Sequence, residues 1–350
     1  MRQRLVFSLI FLAVLGLSFG LVYGREGRLR VVTSFLPIQS HAAAIAGERA
    51  EVSQLLGKET GAHDFQPSPG DVRKLAEADL FFINGMGLED WLDALVKNSG
   101  NPKLKVVDTS IGISVKKSSD SVIEIGDDDG HESGDGEGLA GRDADKKAKG
   151  GDHGVGEAHQ HGDGHGEGSE HGHCHEHEGN PHIWLDPVYA RHQAEVILAA
   201  LVEADPEGRE VFEGNAREYF RKLEDLDKDF REVLGPLENK NLVTFHDAFF
   251  YLAARYGLRY LGYVARFPET EPSPRQVANL VEKIKAFQVG VVFSELGYKP
   301  LILEMIARET GARVMQLDTL ELGIGSPTAY LERMRKNLQV MRASFKGGPM

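Results

Sequence analysis

Residues 205–234 read DPEGREVFEGNAREYFRKLEDLDKDFREVL, and this stretch decides how the rest of the chain is organised. A helix starts near Asp205-Pro206 and stops before Gly235-Pro236. Its apolar residues Val211/Phe212, Tyr219/Phe220, Leu223, Leu226, Phe230 and Val233/Leu234 recur at helical spacing, interrupted only by Gly214. At 1.5 Å rise per residue such a helix is roughly 40 Å long, enough to run across both halves of a two-domain protein.

Strands and helices alternate on both sides of it. Upstream, Leu29–Phe35, Glu51–Leu56, Leu80–Ile83 and Leu104–Val107 read as strands. A helical stretch follows Pro37, and further helices are expected over Val72–Ala78 (opened by Ser68 as N-cap and Pro69 at the first position) and Leu88–Val96. Asp186-Pro187 opens another helix to about Ala204. Downstream, strands are expected at Asn241–Phe245, Tyr260–Ala265, Val289–Ser294 and Arg313–Leu317. Helices are expected at Ala248–Tyr256, Pro274–Phe287, Pro300–Thr310 and Pro327–Ala343. Repeated βα units indicate parallel sheets flanked by helices. The expected fold is therefore α/β: two βα lobes with parallel sheets joined by one long rigid helix. The boundaries are an N-terminal lobe over 25–206, a linking helix over 207–235 and a C-terminal lobe over 236–350.

Two segments stand apart. Residues 1–24 carry Arg2 and Arg4, then an apolar run from Leu5 to Val22 and a small-residue ending, and read as a secretory signal peptide, with an uncleaved anchor as the alternative. The folded part is then expected in the periplasm or another extracytoplasmic space. No cysteine follows the apolar run to serve as a lipoprotein attachment point. The second segment, 118–180, has no Phe, Trp or Tyr and holds 16 of the 40 glycines. It carries 17 Asp/Glu against 4 Lys/Arg, a balance equal to the whole chain's net −13, so the remainder is neutral. Such a composition cannot bury enough apolar area to offset ordering entropy, and the segment is expected to be disordered. Confinement of the charge to one acidic stretch argues against nucleic-acid binding and against a polybasic membrane patch.

The 14 histidines fall into two groups. Nine crowd between His131 and His177, among them His159, His161, His165, His171, His173, His175 and His177. Cys174, the single cysteine, sits within that run, so no internal disulfide can form and the thiol reads as a soft metal ligand. Three others, His63, His182 and His246, stand alone at strand ends or in loops leading to helices. His41 and His192 read as surface or capping residues. In open α/β sheets ligands bind beyond the carboxyl ends of strands, which is where His63, His246 and Asp318 fall. Three imidazoles with a carboxylate or water make a four-coordinate Zn²⁺ site. Asp64 and Asp247, each directly after a candidate ligand, read either as supports for the imidazoles from behind or as helix N-caps, and Glu295, after the strand ending at Ser294, is a further candidate support.

Several stretches sharpen this reading. They are Ser34-Phe-Leu-Pro37, Gly61-Ala-His-Asp-Phe-Gln-Pro-Ser-Pro69, Leu75–Leu80 with Asn84–Leu92, Asn180-Pro-His-Ile-Trp-Leu-Asp-Pro187, Phe245-His-Asp-Ala-Phe249, Glu271-Pro-Ser-Pro274, Phe293-Ser-Glu295 and Tyr330–Leu338. In this order, spanning residues 29–346, they resemble the metal-binding substrate-binding proteins of ABC importers, specifically the zinc-uptake (ZnuA-type) members of the cluster 9 family. The resemblance implies that His63, His182 and His246 match three nitrogen-ligand positions between two lobes. It also implies delivery of the metal to an ABC importer permease powered by a cytoplasmic ATPase, by a protein expected to act as a monomer and not as an enzyme. Manganese-type relatives tend to place a carboxylate at the third position. His246 there favours Zn²⁺ over Mn²⁺ on ligand softness. Asp318 matches the acidic position of the manganese-type relatives, and the resemblance leaves water as the zinc-type alternative.

The acidic His-rich segment is then expected to collect zinc through weak multivalent binding and pass it to the cleft. Two rival readings stay open at this point. Three histidines plus an open position also describe a zinc hydrolase, with Glu295 as general base, although no HExxH pair and no nucleophile accompany them. The other is extracytoplasmic metal storage.

Overall fold

The computed structural model of the protein describes residues 27–63, 65–114, 116, 179–265, 270–299 and 301–346. The apolar runs at Leu80–Ile83 and 291–293 become inner strands buried on both faces, as parallel sheets require. Strands β1 (Leu29–Thr33), β2 (Ala50–Gln54), β3 (Leu80–Ile83) and β4 (Lys105–Asp108) form a parallel sheet in the order β2-β1-β3-β4. Strands β5 (Asn241–Thr244), β6 (Arg259–Tyr263), β7 (Val291–Glu295) and β8 (Arg313–Leu317) form a second in the order β6-β5-β7-β8. The two orders are the same. Each sheet reverses its strand order between its first and third strands, the topological position where open α/β sheets bind ligands.

Helices α1 (Leu36–Ala46), α2 (Pro69–Ala76) and α3 (Leu92–Ser99) belong to the first lobe. Helices α6 (Phe250–Tyr256), α7 (Pro274–Ala286) and α8 (Leu301–Thr310) belong to the second. Between them run α4 (Pro187–Ala204) and α5 (Arg209–Leu234), and α9 (Ala329–Lys346) closes the chain. The expected long helix is α5, with 26 residues. It starts later than Asp205 because a 3-10 turn over Pro206–Gly208 intervenes, closed by the Asp205 carboxylate accepting from the Gly208 N–H at 3.2 Å. Phe212, Ala216, Tyr219, Leu223, Leu226, Phe230 and Leu234 form its buried stripe, each three or four residues from the next. Each large member contributes roughly 1.5–3 kcal/mol by burial. Val211 faces solvent instead.

The helix expected over Leu88–Val96 forms over Leu92–Ser99. Its intended first turn is taken by a loop in which the buried Glu89 carboxylate accepts from the N–H groups of Asn84 and Gly85 at 2.8 and 3.1 Å.

One continuous apolar core covers the first sheet, α1, α4, α5, α6 and α9, and the inward-facing residues Leu242, Tyr260, Val291 and Phe293 of the second sheet. The alternate residues Val243, Leu261 and Val292 face a smaller core under α7 and α8. This period-two division is how the two lobes are packed together through the inner face of the second sheet. Among the described residues, no helix is long and apolar enough to cross a membrane.

Candidate metal centre

His182 is aimed by its neighbour two residues back. Asn180 Oδ1 accepts from the His182 backbone N–H at 2.9 Å and lies 2.8 Å from its ring Nδ1. Asn180 is itself held by the second lobe, donating from Nδ2 to Asp247 O at 2.6 Å and accepting the Tyr251 hydroxyl at 2.8 Å. Protonation of Nδ1 toward Asn180 leaves Nε2 with its lone pair directed into the cleft. Trp184, fully buried, packs against the ring at 5.0 Å between centroids.

His246 comes two residues after β5 and is oriented by an acid at the end of β7. Glu295, fully buried, accepts from the His246 backbone N–H at 2.9 Å and pairs with its Nδ1. Its Nε2 therefore also faces the cleft. His63, midway along the loop between β2 and α2, brings a third Nε2. A carboxylate completes the group. The turn after β8 reverses at Leu320, buried with φ +62, and delivers the fully buried Glu321.

The potential ligand atoms of His63, His182, His246 and Glu321 all lie within 4.8 Å of one another. Nε2 of His182 is 3.2 Å from that of His63 and 3.1 Å from that of His246. Glu321 Oε1 is 3.7 Å from His182 Nε2 and 3.6 Å from His246 Nε2. A tetrahedral Zn²⁺ with ligand bonds of ~2.0–2.1 Å has ligand–ligand edges of about 3.3 Å. These four spacings bracket that value, and with all the ligand atoms within 4.8 Å the arrangement can hold a small four-coordinate divalent cation. Charge points the same way, because two fully buried carboxylates, Glu321 and Glu295, face three imidazoles, and buried charge needs compensation.

Burial lowers His63 to about 3, with the charge on His246 adding to the effect. Burial holds His182 well below its usual range, assisted by His246 and His63. Burial pulls His246 in the same direction, but its contact with Glu295, with Glu321 and Asp247 adding, raises it to about 9.

The structure thus brings His63, His182 and His246 together and leaves Asp318 out. The Asp318 carboxylate is bound to Arg333 of α9, with Nη2 donating to Oδ1 at 2.9 Å, and also caps the Leu320 N–H at 2.8 Å. Glu321, three residues later, occupies the acidic corner. Glu295 stands behind His246, whereas Asp247 meets Asn180 through its main chain. Asp64 lies outside the described residues, as do His159, His161, His165, His171, His173, Cys174, His175 and His177. His192 is partly exposed and meets Ile111 O at 2.7 Å. His41 is not a surface residue. It is fully buried, with Nδ1 2.9 Å from the Tyr219 hydroxyl, and burial pushes it down to about 3. Sequence reading missed Glu321 and the orienting Asn180. The second was legible in principle, as the first residue of the Asn180-Pro-His182 motif.

Two parallel-sheet lobes, a long connecting helix and three converging imidazoles define the metal-type periplasmic binding-protein class. The chain belongs to the family described as zinc-uptake complex component A, periplasmic, whose model matches residues 31–344. It is 31% identical over 326 residues to the high-affinity zinc uptake system protein ZnuA of Bacillus subtilis, covering 91% of this chain and 88% of that one. It is 30% identical over 321 residues to the zinc-binding lipoprotein AdcA of Streptococcus pneumoniae, covering 91% of this chain but 56% of that protein. The chain therefore spans just over half the length of the AdcA relatives it matches. The Zn(II)-bound ZnuA-like domain of that AdcA has a similar structure, with a TM-score of 0.66, 25% identity and coverage of 92% of this chain and 100% of that domain.

Proposed function

We propose that this protein captures Zn²⁺ between its two lobes, on His63, His182, His246 and Glu321, and surrenders it to the permease of an ABC importer driven by a cytoplasmic ATPase. The observation that carries this reading is the convergence of three Nε2 atoms and one carboxylate, all within 4.8 Å of one another, in a buried cleft. Membership of the zinc-uptake family supports it. Three imidazoles with a single carboxylate favour zinc over the harder Mn²⁺, which prefers oxygen.

A hydrolytic role fits poorly. With Glu321 as fourth ligand no position stays open for water, and Glu295 is engaged with His246 rather than facing substrate. We read the protein as a carrier, not an enzyme, that acts as a monomer outside the cytoplasm. The apolar N-terminus and the His-rich segment over 118–180 lie almost wholly outside the described residues, and their roles in export and zinc collection belong to the same proposal. AdcA of Streptococcus pneumoniae is named a lipoprotein, so that relative gives no support to the expected lack of lipid attachment.

The test is twofold. Competition titrations of the purified chain with Zn²⁺ and Mn²⁺ should give much tighter binding for zinc in the tightest class of site. Expression in a strain lacking its own zinc-binding component should restore zinc-limited growth only alongside a cognate permease. Equal affinity for both metals overturns the zinc reading, and growth rescue without a permease overturns import.

A further inference from the structure

The segment that carries Glu321 is fastened to both lobes, and Trp184 Nε1 of the first lobe donates to Thr319 O at 2.7 Å. On the second-lobe side Arg333 of α9 donates from Nη1 to Leu322 O and holds the Asp318 carboxylate, while Asn337 Nδ2 donates to Asp318 O at 2.6 Å. On the first-lobe side a second partner is Gln54, the last residue of β2, 8% exposed and some 270 residues away in the chain. Its Nε2 donates to Gly323 O at 2.9 Å and to Leu56 O at 2.7 Å, and its Oε1 accepts from the Gly325 N–H at 3.1 Å. The Gly323 N–H also donates to Lys58 O at 2.9 Å.

The two glycines are there for close approach. A Cβ at Gly325 would stand 2.8 Å from Leu36 O and 2.7 Å from Gln39 Oε1 of α1. One at Gly323, where φ is +107, would lie 3.3 Å from Leu36 Cδ1. Glu321 lies between Asp318 and Leu322, both held by Arg333, and just upstream of Gly323 and Gly325, held by Gln54, so its position relative to the three imidazoles depends on both sets of contacts.

We propose that Gln54 is a positioning residue for the metal site: a latch that pins the Glu321 strap onto the first lobe and so sets how long the metal is retained. The proposal rests on the reading of Glu321 as the fourth ligand. Gln54 touches no metal. It acts by limiting how often Glu321 swings away with its strap, so its loss shortens residence of the ion. Release to a partner requires the same contacts to open.

The experiment is a double-mutant cycle on the full chain, with the zinc dissociation rate from the tightest site read by stopped-flow capture with an excess of chelator. Loss of these hydrogen bonds in Gln54→Ala should speed release about tenfold. In the Glu321→Ala background the same substitution should change the rate by no more than about twofold, because the latch acts only through Glu321. Equal acceleration in both backgrounds, or none in either, overturns the proposal. If Glu321→Ala alone leaves zinc retention unchanged, the ligand reading falls and the latch falls with it. If it weakens retention while Gln54→Ala adds independently, only the latch falls. Should Gln54→Ala fail to fold, Gln54→Glu serves. It keeps the side-chain volume and the acceptor for Gly325 but removes the donors to Gly323 and Leu56, and the same non-additivity is expected.

Discussion

The Glu295 carboxylate holds His246 at two points, its backbone N–H and its Nδ1, in a site where neither residue reaches solvent. The ring can neither flip nor change which nitrogen faces the cleft. A carboxylate behind a ligand imidazole also raises the basicity of the ligating nitrogen. His182 receives a weaker version of the same support from the neutral Asn180 amide.

Glu295→Gln should therefore weaken zinc binding about 10- to 100-fold, the usual cost of losing an outer partner of a metal-bound histidine. Competition titration against a chromophoric chelator at pH 7.5 measures it. Unchanged affinity would show that His246 needs no carboxylate behind it.

Zinc binding should release close to one proton at pH 7. His246, raised to about 9, is protonated in the metal-free site, whereas His63, lowered to about 3, and His182, well below its usual range, are already neutral. Apparent affinity then falls roughly tenfold per unit as pH drops below 9. Calorimetry in buffers of different ionisation enthalpy counts the proton, and a value near zero at pH 7 contradicts this assignment.

The same shift has a stability consequence for the metal-free protein. A histidine whose folded pKa lies above its unfolded value contributes stability that is fully present below 6.5 and disappears as pH rises through about 9. The melting temperature of the chelator-treated protein should fall between pH 6.5 and 9, with a smaller fall once zinc is bound. A melting temperature that rises over that window has the wrong sign.

His63→Ala, His182→Ala and His246→Ala should each weaken the tightest zinc site by orders of magnitude, and Glu321→Ala by at least tenfold, roughly the loss of one ligand from four. His192→Ala, whose ring meets Ile111 O and a nearby glutamate away from the cluster, should change little. Parity between His192→Ala and the other histidine variants in a chelator competition would place the site elsewhere.

Deleting residues 118–178 should lower the number of zinc ions bound per chain while leaving the tightest class of site in place. Titration followed by elemental analysis counts them. An unchanged stoichiometry retires the collecting role of the His-rich segment.

Much of this was open to reading from residues alone. The βα alternation, both sheets and the connecting helix announce themselves because buried strands such as Leu80–Ile83 are wholly apolar and the stripe of α5 keeps helical spacing. Of the three candidate histidines, His246 follows a strand end closely, while His63 and His182 lie in loops that lead into helical turns. Glu321 stayed hidden for a local reason: nothing in Leu320 signals that this apolar residue turns the chain with a positive φ, so the first acid after the strand, Asp318, looked nearer. Arg333, which claims Asp318, is 15 residues away and enters only when α9 folds back. His41 misled because α1 is buried around most of its surface, with eight of its 11 residues inside, so it has no clear polar face to betray which side its histidine takes.

The most direct measurement is a crystal structure of the zinc-loaded protein with anomalous data collected on both sides of the zinc absorption edge. The account predicts a peak in the interlobe cleft at about 2.0–2.2 Å from Nε2 of His63, His182 and His246 and from a carboxylate oxygen of Glu321. A strong zinc peak elsewhere, with those three rings turned away from one another, would contradict it.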